Sequence, residues 1–152
     1  MSRPLAEILA DLPTESGGAA IVLATSGMPP AMALLSIGDV FLTAGDRVRC
    51  CVYGTSSVVS RLGGAFTLLV PDGTRMLRVE AIDARASVHG DVALVEGTLS
   101  GVRPTAEPPW TTSMAFSPEQ ADDPRIDGFL EYWRAARSWL EDPSSMPPDP
   151  PS

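Results

Sequence analysis

The chain has 152 residues, of which 44% are hydrophobic and 20% charged, with 13 glycines and 15 prolines. This composition is typical of one globular domain with many strands and turns, and it excludes a fibrous or wholly disordered chain. The formal net charge of −8 at pH 7 disfavours nucleic acid and anionic membranes as partners, because both are themselves negatively charged.

No apolar run reaches the roughly 18 residues that a membrane-spanning helix requires. Glu7 and Asp11 interrupt the N-terminal apolar pattern, which is therefore unlike a secretion signal, and we expect a cytoplasmic protein. The two cysteines, Cys50 and Cys51, are adjacent in a predicted strand, where neighbouring side chains point to opposite faces and a disulfide would be strained. We interpret both as small hydrophobic residues and predict no metal site.

The first half of the chain predicts one helix and four strands. A short helix should precede Pro13, because apolar side chains recur at the spacing of one helix face: Leu5, Ile8, Leu9 and Leu12. Apolar runs separated by turn residues then predict the strands, of which the second and third should pair around Gly38. The strands are AAIVLAT (19–25), AMALLSI (31–37), DVFLTAG (39–45) and RVRCCVYG (47–54).

The segment GTSSVVSRL, residues 54–62, joins the fourth strand to the next one. Val58, Val59 and Leu62 have the spacing of one or two helical turns, and a preceding hydroxyl side chain can cap the helix start. Two glycines, at positions 63 and 64, end the helix. The segment is either a capped surface turn or, because hydroxyl groups and a helix start coincide, a phosphate site.

The second half of the chain predicts three longer strands and a closing helix. The strands are AFTLLV (65–70), RMLRVEAIDARASV (75–88) and DVALVEGTLSGVRP (91–104), joined by the turns PDGT and VHGD. An irregular loop with Trp110 follows, and a helix should then begin at Asp123 and Pro124 and end near Leu140. We expect residues 1–141 to form one domain and residues 142–152 a disordered, proline-rich tail.

The order of these elements is that of a mainly β fold, an antiparallel barrel of six to eight strands with small helices at its ends. The amino-acid sequence of residues 21–43, 47–62 and 66–88 resembles that of the pyridoxamine 5′-phosphate oxidase-like FMN-binding split barrels, especially their small bacterial members. The resemblance covers about residues 5–103 and consists of many weak positions rather than one diagnostic motif. It implies a split β-barrel with a short helix in a β-α-β connection.

The resemblance also implies a homodimer that binds FMN, or in some relatives a deazaflavin, between its subunits. The flavin phosphate would be held by hydroxyl and basic residues at the short helix, which here are Thr55, Ser56 and Ser57 with Arg61 and Arg49. Many relatives carry Arg or Lys at the position of Ser57, so the other arginines of the strands, Arg47 and Arg78, are further candidates. Without a replacement, phosphate binding would lose about 1–3 kcal/mol.

Other side chains have simpler interpretations. Thr25 and Ser36 end the first two strands, where they are either flavin contacts or ordinary edge residues. The single histidine, His89, is interpreted as a hairpin residue, and the lack of a second histidine and of a nucleophile elbow disfavours a serine hydrolase. The tryptophans at positions 110, 133 and 139 are interpreted as packing residues rather than as flavin-stacking rings.

The predicted function is that of a flavin-dependent oxidoreductase with an unknown substrate. The flavin would carry the redox chemistry, so no catalytic side chain is identified. The alternative is a cofactor-free split-barrel dimer with a degenerate flavin site, acting as a binding or structural protein. Ser57 and the acidic net charge favour that alternative.

Overall fold

The computed structural model describes residues 4–12, 19–72, 75–105 and 125–151. The predicted helices and strands are present in it, and the Trp110 loop and the predicted helix start at Asp123 and Pro124 lie outside the described residues. In chain order the elements are α1 (Leu5–Asp11), β1 (Ala20–Thr25), β2 (Met32–Ser36), a 3-10 turn (Ile37–Asp39), β3 (Val40–Leu42), β4 (Arg47–Tyr53), α2 (Ser57–Ser60), β5 (Ala65–Asp72), β6 (Arg75–His89), β7 (Val92–Pro104) and α3 (Arg125–Glu141).

The strands form one antiparallel sheet in the order β2-β1-β5-β6-β7-β4-β3. The prediction that β2 pairs with β3 is wrong, because β2 pairs with β1 and β3 pairs with β4. The physical reason is the 3-10 turn between them. Ser36 Oγ accepts a hydrogen bond from the Gly38 N–H (3.0 Å), and Asp39 Oδ2 accepts one from the Ser36 N–H (3.0 Å). This reciprocal cap carries the chain onward instead of folding it back as a hairpin.

The connection between β2 and β3 requires the sheet to curl. Laid flat, seven strands would place the two edge strands about 29 Å apart. The four Cα steps from Ser36 to Val40 span at most about 14 Å. The two edges must therefore approach each other around a cylinder, which is the half-barrel of a split-barrel fold.

The barrel remains split beside the 3-10 turn. β3 pairs only with the first part of β4, where Val40 lies opposite Cys50, so residues 51–53 of β4 have no β3 partner. The free edge of β2 lies on the other side of this gap, since residues of both strands line one shared cleft. The split is therefore between β2 and the end of β4.

Side chains alternate between two hydrophobic cores. On β4, Val48, Cys50 and Val52 enter the barrel interior, whereas Cys51 points outward to α3. Both cysteines have free thiols and are buried in these two cores, which confirms their interpretation as small hydrophobic residues. The outer core is completed by residues of β7 and α3: Val92, Leu94, Tyr132, Ala136, Trp139 and Leu140.

The terminal elements cover the barrel. α1 adds Leu5, Ile8 and Leu9 to the interior core, as its apolar spacing predicts. In the tail, Pro148 is buried. The disorder of this tail, like the single-domain boundary, stays a prediction. Among the described helices, none has the length and apolar character needed to cross a bilayer.

Candidate functional site

The helix α2 is a single turn held at the barrel end by buried side chains. Val58 and Leu62 belong to the interior core. Ser56 is the N-cap residue, and its Oγ accepts a hydrogen bond from the Val58 N–H (3.3 Å). The predicted cap is therefore confirmed, and it leaves the residues on either side of Ser56 facing outward.

Three polar side chains of this turn are exposed together. Thr55 and Ser57 flank the cap, and among the described residues neither hydroxyl makes a hydrogen bond. Arg61 ends the helix, with its N–H bonded to the Ser57 carbonyl (3.0 Å), and its guanidinium forms no ion pair within the described part of the chain. Each of these side chains is a hydrogen-bond donor of the kind that binds anions.

The turn between β1 and β2 packs tightly against the end of α2. A Cβ placed on Gly27 would overlap the Arg61 carbonyl group, so only glycine fits at this approach. The Ser26 hydroxyl accepts a hydrogen bond from the Ala65 N–H (3.2 Å). The backbone around Arg61 is thus fixed from both sides.

Arg49 does not join this group. It lies four residues, about 13 Å, along β4 from Tyr53, where the strand ends. Its Nη1 donates to the Leu140 carbonyl at the end of α3 (2.9 Å), and its Nε donates to Glu96 (3.3 Å). Thr55, Ser56, Ser57 and Arg61 lie within α2 or directly at its ends, whereas Arg49 holds α3. The other two candidate arginines are also paired: Arg47 with Glu96 and Arg78 with Glu80, each at 3.1 Å.

A cleft of about 190 Å³ occupies the split of the barrel next to α2. Its walls are the free edge of β2, the 3-10 turn, the end of β4 and one face of α3. Ser56 connects the cleft to the α2 turn. The lining residues are mainly apolar and aromatic, with Tyr53, Phe129, Tyr132 and Trp133 as the ring-bearing side chains and Asp39 as the one carboxyl group.

Asp39 is the unusual residue of this cleft. It is buried, and within the described part of the chain its Oδ1 has no hydrogen-bond partner, while Oδ2 accepts from the Ser36 N–H. Burial raises the pKa of Asp39 from the ordinary value of 3.8 to about 7, and the hydrogen bond from the Ser36 N–H, together with the nearby Trp133 side chain, opposes this rise only in part. The carboxyl group therefore titrates near neutral pH.

The neighbouring titratable groups stay neutral around that pH. Burial raises the pKa of Cys51 to about 12, and the thiol lies 3.6 Å from the Tyr132 hydroxyl. Burial also raises the pKa of Tyr53 and of Tyr132. Sequence reasoning did not identify Asp39, Tyr53 or Tyr132. An aspartate after a glycine is typical of an exposed turn, so no local signal indicates that this one is buried.

A larger groove of about 770 Å³ lies between α1, the 3-10 turn and α3. Arg134 and Arg137 reach it from α3. Arg137 donates to the Val40 carbonyl (3.3 Å) and lies over the Phe41 ring (5.3 Å), so it fastens α3 to the barrel. Trp133 lines both this groove and the cleft, and it packs closely against Gly38.

The remaining predicted candidates have structural roles. The Thr25 hydroxyl accepts a hydrogen bond from the Ala31 N–H (2.8 Å), and Ser36 caps the 3-10 turn. His89 ends β6 at the predicted hairpin and contacts the Trp139 ring edge-on (5.3 Å between centroids). Trp139 is buried in the outer core, as its interpretation as a packing residue predicts. Within the described ranges no cluster of three or more metal-ligating side chains occurs.

Comparison with known proteins gives matches at the level of structure. No protein-family model and no curated protein sequence matches the chain. Two solved structures superpose with a TM-score of 0.50. The NADH:FAD oxidoreductase SgcE6 of Streptomyces globisporus, solved with NAD and FAD fragments, is 15% identical, with 70% of this chain and 87% of that chain covered. A putative oxidoreductase of Sinorhizobium meliloti is 11% identical, with 84% and 56% covered.

A third match, a putative pyridoxamine 5′-phosphate oxidase of Listeria innocua, has a TM-score of 0.47 and 10% identity over 66% of this chain and 94% of that one. At such identities a structural likeness is evidence about the fold, and function has to be argued from the site itself. The predicted resemblance is confirmed at the level of the fold: the chain has an antiparallel split-barrel fold, which it shares with the NADH:FAD oxidoreductase SgcE6.

Proposed function

We propose that the protein is a flavin-dependent oxidoreductase that binds FMN at the start of α2. One observation carries the proposal: in a fold shared with an NADH:FAD oxidoreductase, the α2 turn presents unpaired hydroxyl groups and a guanidinium beside a cleft with aromatic walls. A phosphate dianion requires several donors when it leaves water, and Thr55, Ser57 and Arg61 supply them.

The residues of the α2 turn fit the phosphate, but the cleft of one protomer is too small for the whole cofactor. The cleft of about 190 Å³ is smaller than the roughly 300–1,000 Å³ that sites for ligands of that size occupy. A flavin would supply hydride and electron transfer when bound. The chain's own residues would hold the phosphate at α2, orient the ring system against the mouth of the cleft and exclude water from it.

A second copy of the chain is proposed to complete the site. The mouth of the cleft is flanked by exposed apolar side chains, with Met32 68% and Leu34 59% exposed on β2 and Tyr53 46% exposed at the end of β4. Apolar surface grouped beside a cleft is typical of an interface. A homodimer formed here would add a second wall to the flavin site.

The sharpest test restores the basic residue that the resemblance implies. Ser57→Arg places a guanidinium beside the unpaired hydroxyls, and a charge-assisted hydrogen bond to phosphate contributes about 1.5–3 kcal/mol. We expect FMN to bind about 10- to 100-fold more tightly in a fluorescence titration. Riboflavin, which has no phosphate, should bind with unchanged affinity. Ser60→Arg, at an exposed serine of the same helix, is the matched control.

Equal gains in FMN affinity from Ser57→Arg and Ser60→Arg would contradict the proposed phosphate site, because they would reflect only a more favourable net charge. Arg61→Ala tests the natural cation. It should weaken FMN binding and leave riboflavin binding unchanged. Arg85→Ala, at an exposed arginine of β6, should change neither affinity.

The second candidate function is that of a cofactor-free split-barrel protein. The specific observation in its favour is that Arg47, Arg49 and Arg78 are all engaged by carboxylates of the sheet, so Arg61 is left as the cation of the α2 turn. Absorbance spectra of the purified protein, with and without added FMN, separate the two candidates. If the natural protein and Ser57→Arg both lack bound flavin and show no titratable FMN affinity, the second candidate is favoured.

A further inference from the structure

The cleft contains a buried carboxyl group whose hydrogen-bonding capacity is only partly used. Asp39 Oδ2 accepts a hydrogen bond from the Ser36 N–H, whereas Oδ1 is buried and has no hydrogen-bond partner among the residues that the structure describes. An unpaired oxygen at such a site costs free energy unless a ligand or ordered water completes it. Because Asp39 itself lines the cleft, a molecule in the cleft is placed to provide the missing partner.

The walls of the cleft restrict what that molecule can be. Tyr53 and Tyr132 have stacked rings with centroids 6.2 Å apart, and Phe129 and Trp133 are 5.8 Å apart. Aromatic walls favour a planar ring. A volume of about 190 Å³ accommodates a single ring with a small substituent rather than a molecule of cofactor size.

The charge state of Asp39 determines the polarity of the ligand. Cys51 and Tyr53 on β4 and Tyr132 on α3 face Asp39, and their raised pKa values keep them neutral. Cys50 also lies near Asp39 and is likewise neutral. Arg137 of α3 reaches the Ile37 and Val40 carbonyls that flank Asp39. Among the described residues no cation pairs with Oδ1, so the neutral acid is the stable form of Asp39 below neutral pH. A neutral carboxylic acid donates one hydrogen bond.

We propose that this cleft binds a single uncharged aromatic or heteroaromatic ring that carries a carbonyl group, with the Asp39 carboxylic acid donating a hydrogen bond from Oδ1 to the carbonyl oxygen. The ring lies between the tyrosine and tryptophan side chains. The inference goes beyond the proposed flavin site and does not require it, because Asp39, Tyr132 and Trp133 are not part of the α2 turn.

Benzamide is the probe, and binding is followed by NMR titration of the full chain. We expect benzamide to shift the signals of the Trp133 indole and the Ser36 amide and to bind more tightly than ethylbenzene, which has no carbonyl group. Between pH 6 and pH 8 its affinity should fall about tenfold, because the protonated fraction of an acid that titrates near 7 falls by that factor. In Asp39→Asn an amide N–H replaces the acid proton, so binding should persist and become independent of pH.

Two results would overturn the inference. Equal affinity for benzamide and ethylbenzene would show that the carbonyl group is not recognised. Tighter binding of benzylamine with rising pH would show a carboxylate site for cations instead. A measurement without mutation completes the test. The NMR signal of the Asp39 carboxyl carbon, followed against pH, should show that the carboxyl group deprotonates at higher pH when benzamide is present. An unchanged titration would contradict the proposed hydrogen bond.

Discussion

Asp39 shows how one residue combines a structural contact with an electrostatic cost. Its Oδ2 closes the cap of the 3-10 turn through the Ser36 N–H, which requires the carboxyl group to lie inside the fold. Burial then disfavours the ionised form and raises the pKa of Asp39 to about 7. At neutral pH the cap persists only because the rest of the fold offsets the free-energy cost of burying the ionised carboxyl group.

We expect Asp39→Asn to remove a pH dependence of stability. The folded state keeps the Asp39 proton up to about pH 7, whereas the unfolded chain loses it near pH 4, so stability falls as pH rises between these values. The loss is of the order of 4 kcal/mol. Asparagine can still accept from Ser36 and does not ionise. Its free energy of unfolding, from urea titrations, should equal that of the natural protein near pH 4 and exceed it at pH 8.

The matched control is Asp83→Asn, at an exposed aspartate with positive φ that asparagine also adopts. It should show the same pH dependence as the natural protein. If Asp39→Asn is no more stable than the natural protein at pH 8, the carboxyl group is not buried in its ionised form and the raised pKa is wrong.

At the scale of elements, α3 is fastened to the barrel by arginines as well as by its apolar face. Arg49 of β4 reaches the Leu140 carbonyl, at the C-terminal end of α3, where the helix dipole favours a positive charge. Arg137 of α3 reaches back to the Val40 carbonyl. The helix is thus tied to the sheet at two points, on either side of the buried Trp139.

We expect Arg49→Met to destabilise the protein by about 1–3 kcal/mol, because a charge-assisted hydrogen bond and a partly buried ion pair are lost. Hydrogen exchange should rise in the last turns of α3, and FMN affinity should not change. Arg78→Met is the control: that side chain is 53% exposed and its partner Glu80 keeps Arg103, so stability should change by less than about 0.5 kcal/mol. A fall in FMN affinity in Arg49→Met would instead assign Arg49 to the cofactor site.

Much of each element was predictable from local sequence, and the relations between elements were not. The spacing of Leu5, Ile8 and Leu9 predicts α1, and the serine before Val58 predicts the cap of α2, because both signals act within one or two turns. The partner of β2 was mispredicted, since alternation identifies a strand but not its neighbour. The fastening role of Arg49 depends on α3, which lies about ninety residues later in the chain.

At the scale of the whole molecule, the unpaired edge of β2 is the proposed dimer surface. Leu34 is exposed there and also lines the cleft. Leu34→Glu would place a charge in the apolar contact, so we expect it to convert a dimer into a monomer in analytical ultracentrifugation. Val88→Glu, at a 58% exposed valine on β6, should leave the dimer intact. A natural protein that sediments as a monomer would contradict the proposed interface.

The 3-10 turn at Ile37–Asp39 also limits how the barrel can move. It connects the two sheet edges at one end of the split, while the far end of β2, at Met32, and the end of β4, at Tyr53, are not paired with each other. We therefore expect thermal motion of the edges to open the gap as a wedge that pivots on the turn. Asp39 sits at the pivot, where displacement is smallest, and the wide end of the wedge opens beside α2.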